Sequence, residues 1–151
     1  MNLTAATHEA GHALVAYFLG FNGVECSLRG DGDGYEVTHA GPTEPTAAEC
    51  YLLAVVALAG CCAQEVSGID VTDEDARNDM NAAVQWLSEY EGYVDVPHAN
   101  TGVLQQSMAR AHELATAILD GSKDKLAKLA ALFLAQRGQA SADQIFAALQ
   151  P

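Results

Sequence analysis

The sequence predicts a mostly helical α+β fold. Apolar residues recur with helical spacing along most of the 151 residues, whereas one region around a glycine-rich stretch shows strict alternation of apolar and polar residues. Half of the residues are hydrophobic, which is enough to build one core, and no linker or internal repeat divides the chain. We therefore expect residues 1–151 to form a single domain.

The first elements are a helix and a small sheet. Helical spacing of apolar residues and a stop at Gly20 predict a helix over roughly Thr4–Leu19. Apolar and polar residues then alternate in Val24–Leu28 and again in Tyr35–His39, with the glycine-rich stretch Arg29–Gly34 between them. Alternation on both sides of a turn is typical of a β-hairpin or a small sheet.

A long central helix comes next. Thr46 and Glu49 have the spacing of a capping box directly after Pro45, and the helix is predicted to continue to about Val66. It is apolar on nearly every side, so we expect it at the centre of the fold. Its longest apolar run, Tyr51–Ala63, is shorter than the roughly 20 residues that cross a bilayer.

Four further helices are predicted from caps, acidic first turns and glycine stops. They are Thr72–Tyr90, Thr101–Asp120, Lys123–Arg137 and a short helix capped by Ser141 with Gln144.

Charge and cysteine usage limit the classes of partner. The net charge of -13 repels phosphate backbones and anionic lipid headgroups, so we expect neither nucleic acid nor a membrane surface as a partner. The cysteines lack CxxC spacing, and no positively charged and apolar leader precedes the first helix. We expect buried, reduced thiols in a cytoplasmic protein; the four cysteines are Cys26, Cys50, Cys61 and Cys62.

The strongest functional signal is the HExxH motif formed by His8, Glu9 and His12. Residues four apart on a helix lie on one face, so the two imidazoles can converge on one metal ion. Such a motif also arises by chance in helical bundles, but here the three polar residues share one arc of an otherwise apolar helix. A zinc ion with three protein ligands keeps a position for water and lowers its pKa to about 7, and Glu9 is the expected base.

A third ligand is expected from the acidic middle of the chain. Asp79 lies at the margin of the apolar face of its helix, so it is half-buried, whereas Asp73 and its neighbours suit the helix N-terminus. We predict Asp79 as the third ligand. Glu65, at the end of the central helix, is the competing ligand; its alternative role is a carboxylate near the ligands or at the helix end.

Three further histidines remain, of which His98 follows Pro97 in a loop and is interpreted as a surface or packing residue. His39 shares a strand face with Tyr35 and Val37 and is a candidate cleft residue, although a lone strand histidine is usually structural. His112 is interpreted as a surface or packing residue. The strand Tyr35–His39 has a second use, because a sheet edge beside a metal site can bind an extended peptide through main-chain hydrogen bonds.

The motifs, taken in order, resemble the peptidase domain of the FtsH-type ATP-dependent zinc metalloproteases, and the resemblance covers nearly the whole chain. It rests on TAATHEAGHALVAYFLG (Thr4–Gly20), VECSLRG (Val24–Gly30), LAGCCAQEVSGI (Leu58–Ile69), RNDMNAAVQW (Arg77–Trp86) and the closing helices, of which only the first is highly specific. The resemblance implies a zincin-like helical bundle in which zinc is bound by His8, His12 and Asp79, with Glu9 as catalytic base.

The sequence departs from that family in three places. Cys61 and Cys62 stand where the family usually has Gly-Arg, and SEYEG (Ser88–Gly92) replaces its tyrosine-glycine-methionine sequence. These 151 residues also contain no Walker-type GxxxxGK[ST] motif. ATP dependence and ring assembly therefore do not carry over, and both a homo-oligomer and a separate unfoldase partner stay open.

Two functional hypotheses follow. The first is a stand-alone zinc metallopeptidase that hydrolyses peptide bonds in unfolded or short polypeptides through a metal-bound water and a glutamate base. The second is a catalytically idle zinc-binding module that acts in partner binding or regulation. Glu9 favours the first hypothesis, because zinc binding alone does not require a glutamate there.

Overall fold

Six helices and one two-stranded antiparallel sheet make up the part of the chain that the computed structural model describes, residues 1–29, 34–90 and 101–150. This confirms the predicted α+β class with mostly helical content. In chain order the elements are α1 (Leu3–Phe18), β1 (Asn22–Leu28), β2 (Tyr35–Ala40), α2 (Ala47–Val66), α3 (Asp73–Tyr90), α4 (Thr101–Asp120), α5 (Lys123–Ala135) and α6 (Ala142–Leu149).

Helix α1 begins at Leu3 because the side chain of Asn2 accepts a hydrogen bond from the Ala5 N–H at 2.8 Å. It ends at Phe18, and Gly20 follows with a left-handed φ of 85° that breaks the helical path. Most of α1 is buried, so its few polar side chains are forced into contact with neighbouring elements.

Helix α2 lies at the centre, as predicted, and packs against α1, α3 and α4. Thr46 and Glu49 form the predicted capping box, with side-chain and backbone hydrogen bonds in both directions. By length and composition α2 also passes as a membrane-crossing helix, but 67% of that window is buried inside the fold. A buried core helix has the same composition.

The contact between α1 and α2 is closest at Gly11. A Cβ placed there would collide with the backbone carbonyl of Ala59 and the side chain of Ala63. The two helices can therefore approach this closely only because residue 11 has no side chain.

Replacing Gly11 with Ala is expected to destabilise the fold by about 1–3 kcal/mol, since a backbone oxygen cannot move aside like a flexible side chain. Urea unfolding followed by circular dichroism measures the change. Gly121→Ala is the matched control, because a Cβ there meets its nearest atom, the Ala117 carbonyl oxygen, at 3.3 Å. Equal midpoints for both variants would show that the contact is not tight.

The sheet is a hairpin in which β1 and β2 run antiparallel, with Cys26 opposite Val37. Strand β1 begins before the predicted Val24, and β2 ends one residue after the predicted His39. A bulge between Asn22 and Glu25 accounts for the irregular start of β1. The other side of β1 is occupied at Cys26, whose N–H and C=O both bond Ala140 at 2.9 Å. Gly30–Asp33 of the predicted turn lie outside the described residues.

The last helices follow the prediction with one correction. Helix α5 ends at Ala135 and not at Arg137, because Arg137 and Gly138 both adopt left-handed φ angles of 52° and 80°. The Gly138 N–H then returns to the Phe133 carbonyl at 2.8 Å, which closes the helix. Ser141 caps α6 through a capping box with Gln144, as predicted.

Candidate metal centre

His8 and His12 lie one turn apart on α1 and point to the same side. Their Nε2 atoms are 3.1 Å apart, and both side chains are largely buried. Helical periodicity produces this pairing directly, since residues i and i+4 lie above one another.

Asp79 reaches the same point from α3. Its Oδ1 lies 3.4 Å from His8 Nε2 and 3.5 Å from His12 Nε2, and the residue is only 6% exposed. Its other oxygen, Oδ2, accepts a hydrogen bond from the Cys61 backbone N–H at 3.0 Å. This bond to α2 fixes the orientation of the carboxylate, so one oxygen is left for the histidines.

The spacing of the three atoms fits a tetrahedral zinc ion. Zinc with nitrogen and oxygen ligands at about 2.0–2.1 Å needs these atoms about 3.3–3.4 Å apart. The three separations are 3.1, 3.4 and 3.5 Å. Two imidazoles and a carboxylate are also a common ligand set of catalytic zinc.

The Nδ1 atom of each histidine is held by a hydrogen bond that it donates to α2. His12 Nδ1 donates to the Val56 carbonyl at 2.8 Å, and His8 Nδ1 donates to Gln64 Oε1 at 3.3 Å. In the neutral tautomer each Nε2 then faces the Asp79 carboxylate with its lone pair, whereas a protonated imidazole donates its Nε2–H to Asp79. Three acceptors that face one point require a cation between them, either a proton or a metal ion.

Gly60 provides the space for this arrangement. A Cβ at residue 60 would lie 2.5 Å from the Nε2 atoms of both His8 and His12. Any larger residue would therefore push the two imidazoles away from α2. One face of α2 supports both His8 and His12, because the residues that contact them are spaced four apart: Val56, Gly60 and Gln64.

Gln64 is fully buried, and its bond to His8 is expected to tune metal affinity. Gln64→Leu removes the acceptor and should weaken zinc binding about 10–100-fold, the usual effect of losing such a partner. Competition titration with a zinc indicator measures the affinity. Gln64→Glu is the matched control, because it keeps an acceptor at this position and should bind zinc at least as tightly as the parent protein. Unchanged affinity in Gln64→Leu would contradict the role.

Charge in the cluster favours a bound cation. Burial alone lowers the pKa of His12, but the hydrogen bond and charge of Asp79 outweigh it and raise that pKa to about 9. Burial has the opposite effect on a carboxyl group and raises the pKa of Asp79, but the hydrogen bonds from His12 and His8 hold that pKa far below its usual range. Both directions show that positive charge beside Asp79 is strongly stabilised.

Glu9 lines the same cavity, which has a volume of about 810 Å³. The residue is buried, and burial raises the pKa of its carboxyl, although His12 and His8 partly offset this effect. A carboxylate with a raised pKa is a better proton acceptor at neutral pH than an exposed one. Arg29 also lines the cavity and is its one Lys or Arg side chain among the described residues.

His39 lines the cavity as well, from β2. Its ring packs against Phe21 with centroids 4.5 Å apart, and burial lowers its pKa. Its Nδ1 is buried without a hydrogen-bond partner among the described residues. The structure thus brings the predicted cleft residue to the cavity wall.

The structure does not bring Glu65 to this cluster. Its carboxylate points to α4, where Oε2 lies 3.3 Å from His112 Nε2, and more than half of the side chain is exposed. The residue next to it, Gln64, occupies the position beside His8. The prediction of Glu65 as an alternative ligand of this centre is therefore wrong. The orientation of α2 points residue 64 toward His8 and residue 65 toward α4.

The cysteines are free, and three of the four are buried. Burial raises the pKa of Cys26 to about 12 and that of Cys62 to about 11. Both are neutral thiols near pH 7, so neither is poised as a nucleophile.

Comparison with known proteins assigns no family. No protein-family model matches this chain, and no match is found among the curated proteins. The resemblance of its motifs to the FtsH-type peptidases therefore stays a prediction.

Proposed function

We propose that this protein is a zinc-dependent metallopeptidase that hydrolyses peptide bonds in unfolded or short polypeptides. The observation that carries the proposal is the convergence of His8 Nε2, His12 Nε2 and Asp79 Oδ1 to within 3.5 Å of one another. A glutamate lies beside them in the same cavity. The resemblance to the FtsH-type peptidase domain supports the same activity and the same residues.

Each residue has a defined chemical task. His8, His12 and Asp79 would hold the ion, and zinc bound there would supply Lewis acidity that polarises a carbonyl and makes water easier to deprotonate. The Glu9 carboxylate accepts the proton of the attacking water and passes it to the departing amine. Glu9 lines the same cavity as the three ligands, so its carboxylate is placed to make that transfer.

Strand β2 is the proposed binding edge for the substrate. Tyr35, Glu36, Val37 and His39 of this strand line the cavity. Among the strands described here, β2 pairs only with β1, and we propose that its other edge forms main-chain hydrogen bonds with an extended peptide. Such bonds need an unfolded segment and are largely independent of its side chains.

The charge of the cavity predicts which peptides are preferred. Negative charge prevails even when Arg29 and a divalent ion are counted; the lining carboxylates are Glu9, Glu36, Glu74, Asp75 and Asp79. At low ionic strength, a peptide flanked by lysines should be cleaved with about tenfold higher kcat/KM than the same peptide flanked by glutamates. Added salt should narrow the ratio. Faster cleavage of the acidic peptide would rule out this steering.

The activity is tested on a fluorescently labelled, intrinsically unfolded polypeptide. We expect cleavage by the zinc-loaded protein, loss of cleavage after chelation, and recovery when zinc is returned. Asp79→Ala should abolish both tight zinc binding and cleavage. Asp73→Ala is the matched control, because Asp73 is an exposed residue of the same helix outside the cavity lining.

Two results would contradict the proposal. Cleavage that survives chelation would exclude a zinc mechanism. Zinc binding that depends on Asp79 without cleavage of any unfolded polypeptide would instead favour the catalytically idle module.

A further inference from the structure

A second group of ligating side chains lies between α2 and α4. It consists of Cys62 and Glu65 of α2 and His112 of α4, whose donor atoms all lie within 4.8 Å of one another. None of the three residues lines the cavity that holds the first centre.

The two helices bring these residues together in a simple way. Cys62 and Glu65 are three residues apart, so they share one face of α2, and this face packs against α4. The Cys62 thiol is fully buried, 4.0 Å from the His112 carbonyl oxygen. The side chains of Glu65 and His112 are 52% and 45% exposed, which gives an ion access from solvent.

We infer that Cys62, Glu65 and His112 form a second binding site for a divalent transition-metal ion such as zinc. Thiolate, imidazole and carboxylate are all ligands of zinc, and the imidazole and carboxylate need about 3.3 Å between them in a tetrahedron. His112 Nε2 and Glu65 Oε2 are 3.3 Å apart. On binding, the Cys62 thiol would lose its proton to solvent, and the protein would supply three ligands to the ion.

The second site is separate from the first. Around α2, residues 62 and 65 are rotated by about 100° or more from Gly60 and Gln64, which support the first centre. A metal ion in the second site would link α2 to α4 and hold α2 in place behind the first centre. The simpler alternative is an exposed Glu65–His112 ion pair, which adds little stability.

Cobalt(II) distinguishes the two interpretations, because thiolate coordination produces an intense charge-transfer band in the near ultraviolet. None of the three proposed ligands of the first centre is a sulfur, and Cys61→Ser excludes a contribution from the Cys61 thiol beside Asp79, so the band reports on the second site and is independent of peptidase activity. We expect the band when cobalt is added to the metal-free protein and its loss in Cys62→Ser. Cys61→Ser is the matched control and should keep the band, since Cys61 is the adjacent cysteine outside the cluster.

Variants at the half-exposed positions protect the test against misfolding of Cys62→Ser. Glu65→Gln and His112→Ala should keep the helical circular dichroism spectrum and weaken cobalt binding, followed at this band, by at least about tenfold. No band in the parent protein, a band lost in Cys61→Ser but kept in Cys62→Ser, or unchanged affinity in both Glu65→Gln and His112→Ala would overturn the second site.

Discussion

Glu9→Gln is expected to lower kcat for peptide cleavage by about 10²–10⁴-fold while zinc stays bound. The amide keeps the size and polarity of the side chain but cannot accept a proton from water. Glu9 is not one of the three residues whose atoms converge on the metal position, so its loss should leave that position intact. Steady-state cleavage at equal zinc occupancy, verified by metal analysis, measures the effect.

Glu25→Gln is the control for this comparison, because Glu25 is an exposed strand residue outside the cavity lining. It should cleave like the parent protein. Equal cleavage by Glu9→Gln and Glu25→Gln would show that Glu9 is not the base, whatever metal is bound.

Gly60→Ala is expected to weaken zinc binding by at least about 100-fold. This is the upper end of the usual loss of affinity when a group that orients a metal ligand is changed. The added Cβ would lie 2.5 Å from both Nε2 atoms, so the imidazoles must move by more than the small tolerance of a metal–ligand bond. Zinc affinity and cleavage should fall together. Competition titration and the cleavage assay provide both measurements.

Helix propensity cannot explain such a loss, because alanine is the better helix former by about 1 kcal/mol. Gly121→Ala, at the end of α4, should keep full zinc affinity. Tight zinc binding by Gly60→Ala would mean that the imidazoles do not lie against α2 at this point.

Most of the fold follows from local sequence patterns. Apolar spacing located α1, and capping residues located the starts of α2 and α6, because these signals act within one or two turns. The end of α5 is harder to predict from the sequence. Its last residues can continue a helix, and Arg137 adopts a left-handed φ that is not expected of a non-glycine residue.

The sequence predicts residues of the candidate centre only where their apolar neighbours indicate that a polar side chain is buried. His8 and His12 stand out on an apolar helix, and Asp79 lies at the margin of an apolar face. Gln64 and Gly60 cannot be predicted in this way. Helix α2 is apolar on nearly every side, so the sequence does not show its rotation about its own axis. That rotation decides between Gln64 and Glu65, which are adjacent residues with opposite surroundings.

Departures from the FtsH-type pattern acquire a physical interpretation in this arrangement. Cys61 contributes its backbone N–H to Asp79, and its thiol also interacts with that carboxylate. Cys62 packs toward α4, where it belongs to the proposed second metal site.

The most direct test of the central claim is a crystal structure of the zinc-loaded protein with an anomalous difference map at the zinc edge. We expect a peak bound by Nε2 of His8, Nε2 of His12 and the carboxylate of Asp79, with no protein atom as fourth ligand and Glu9 beside it. A map without zinc at these three residues would contradict the proposed centre. A fourth protein ligand there would contradict a catalytic role.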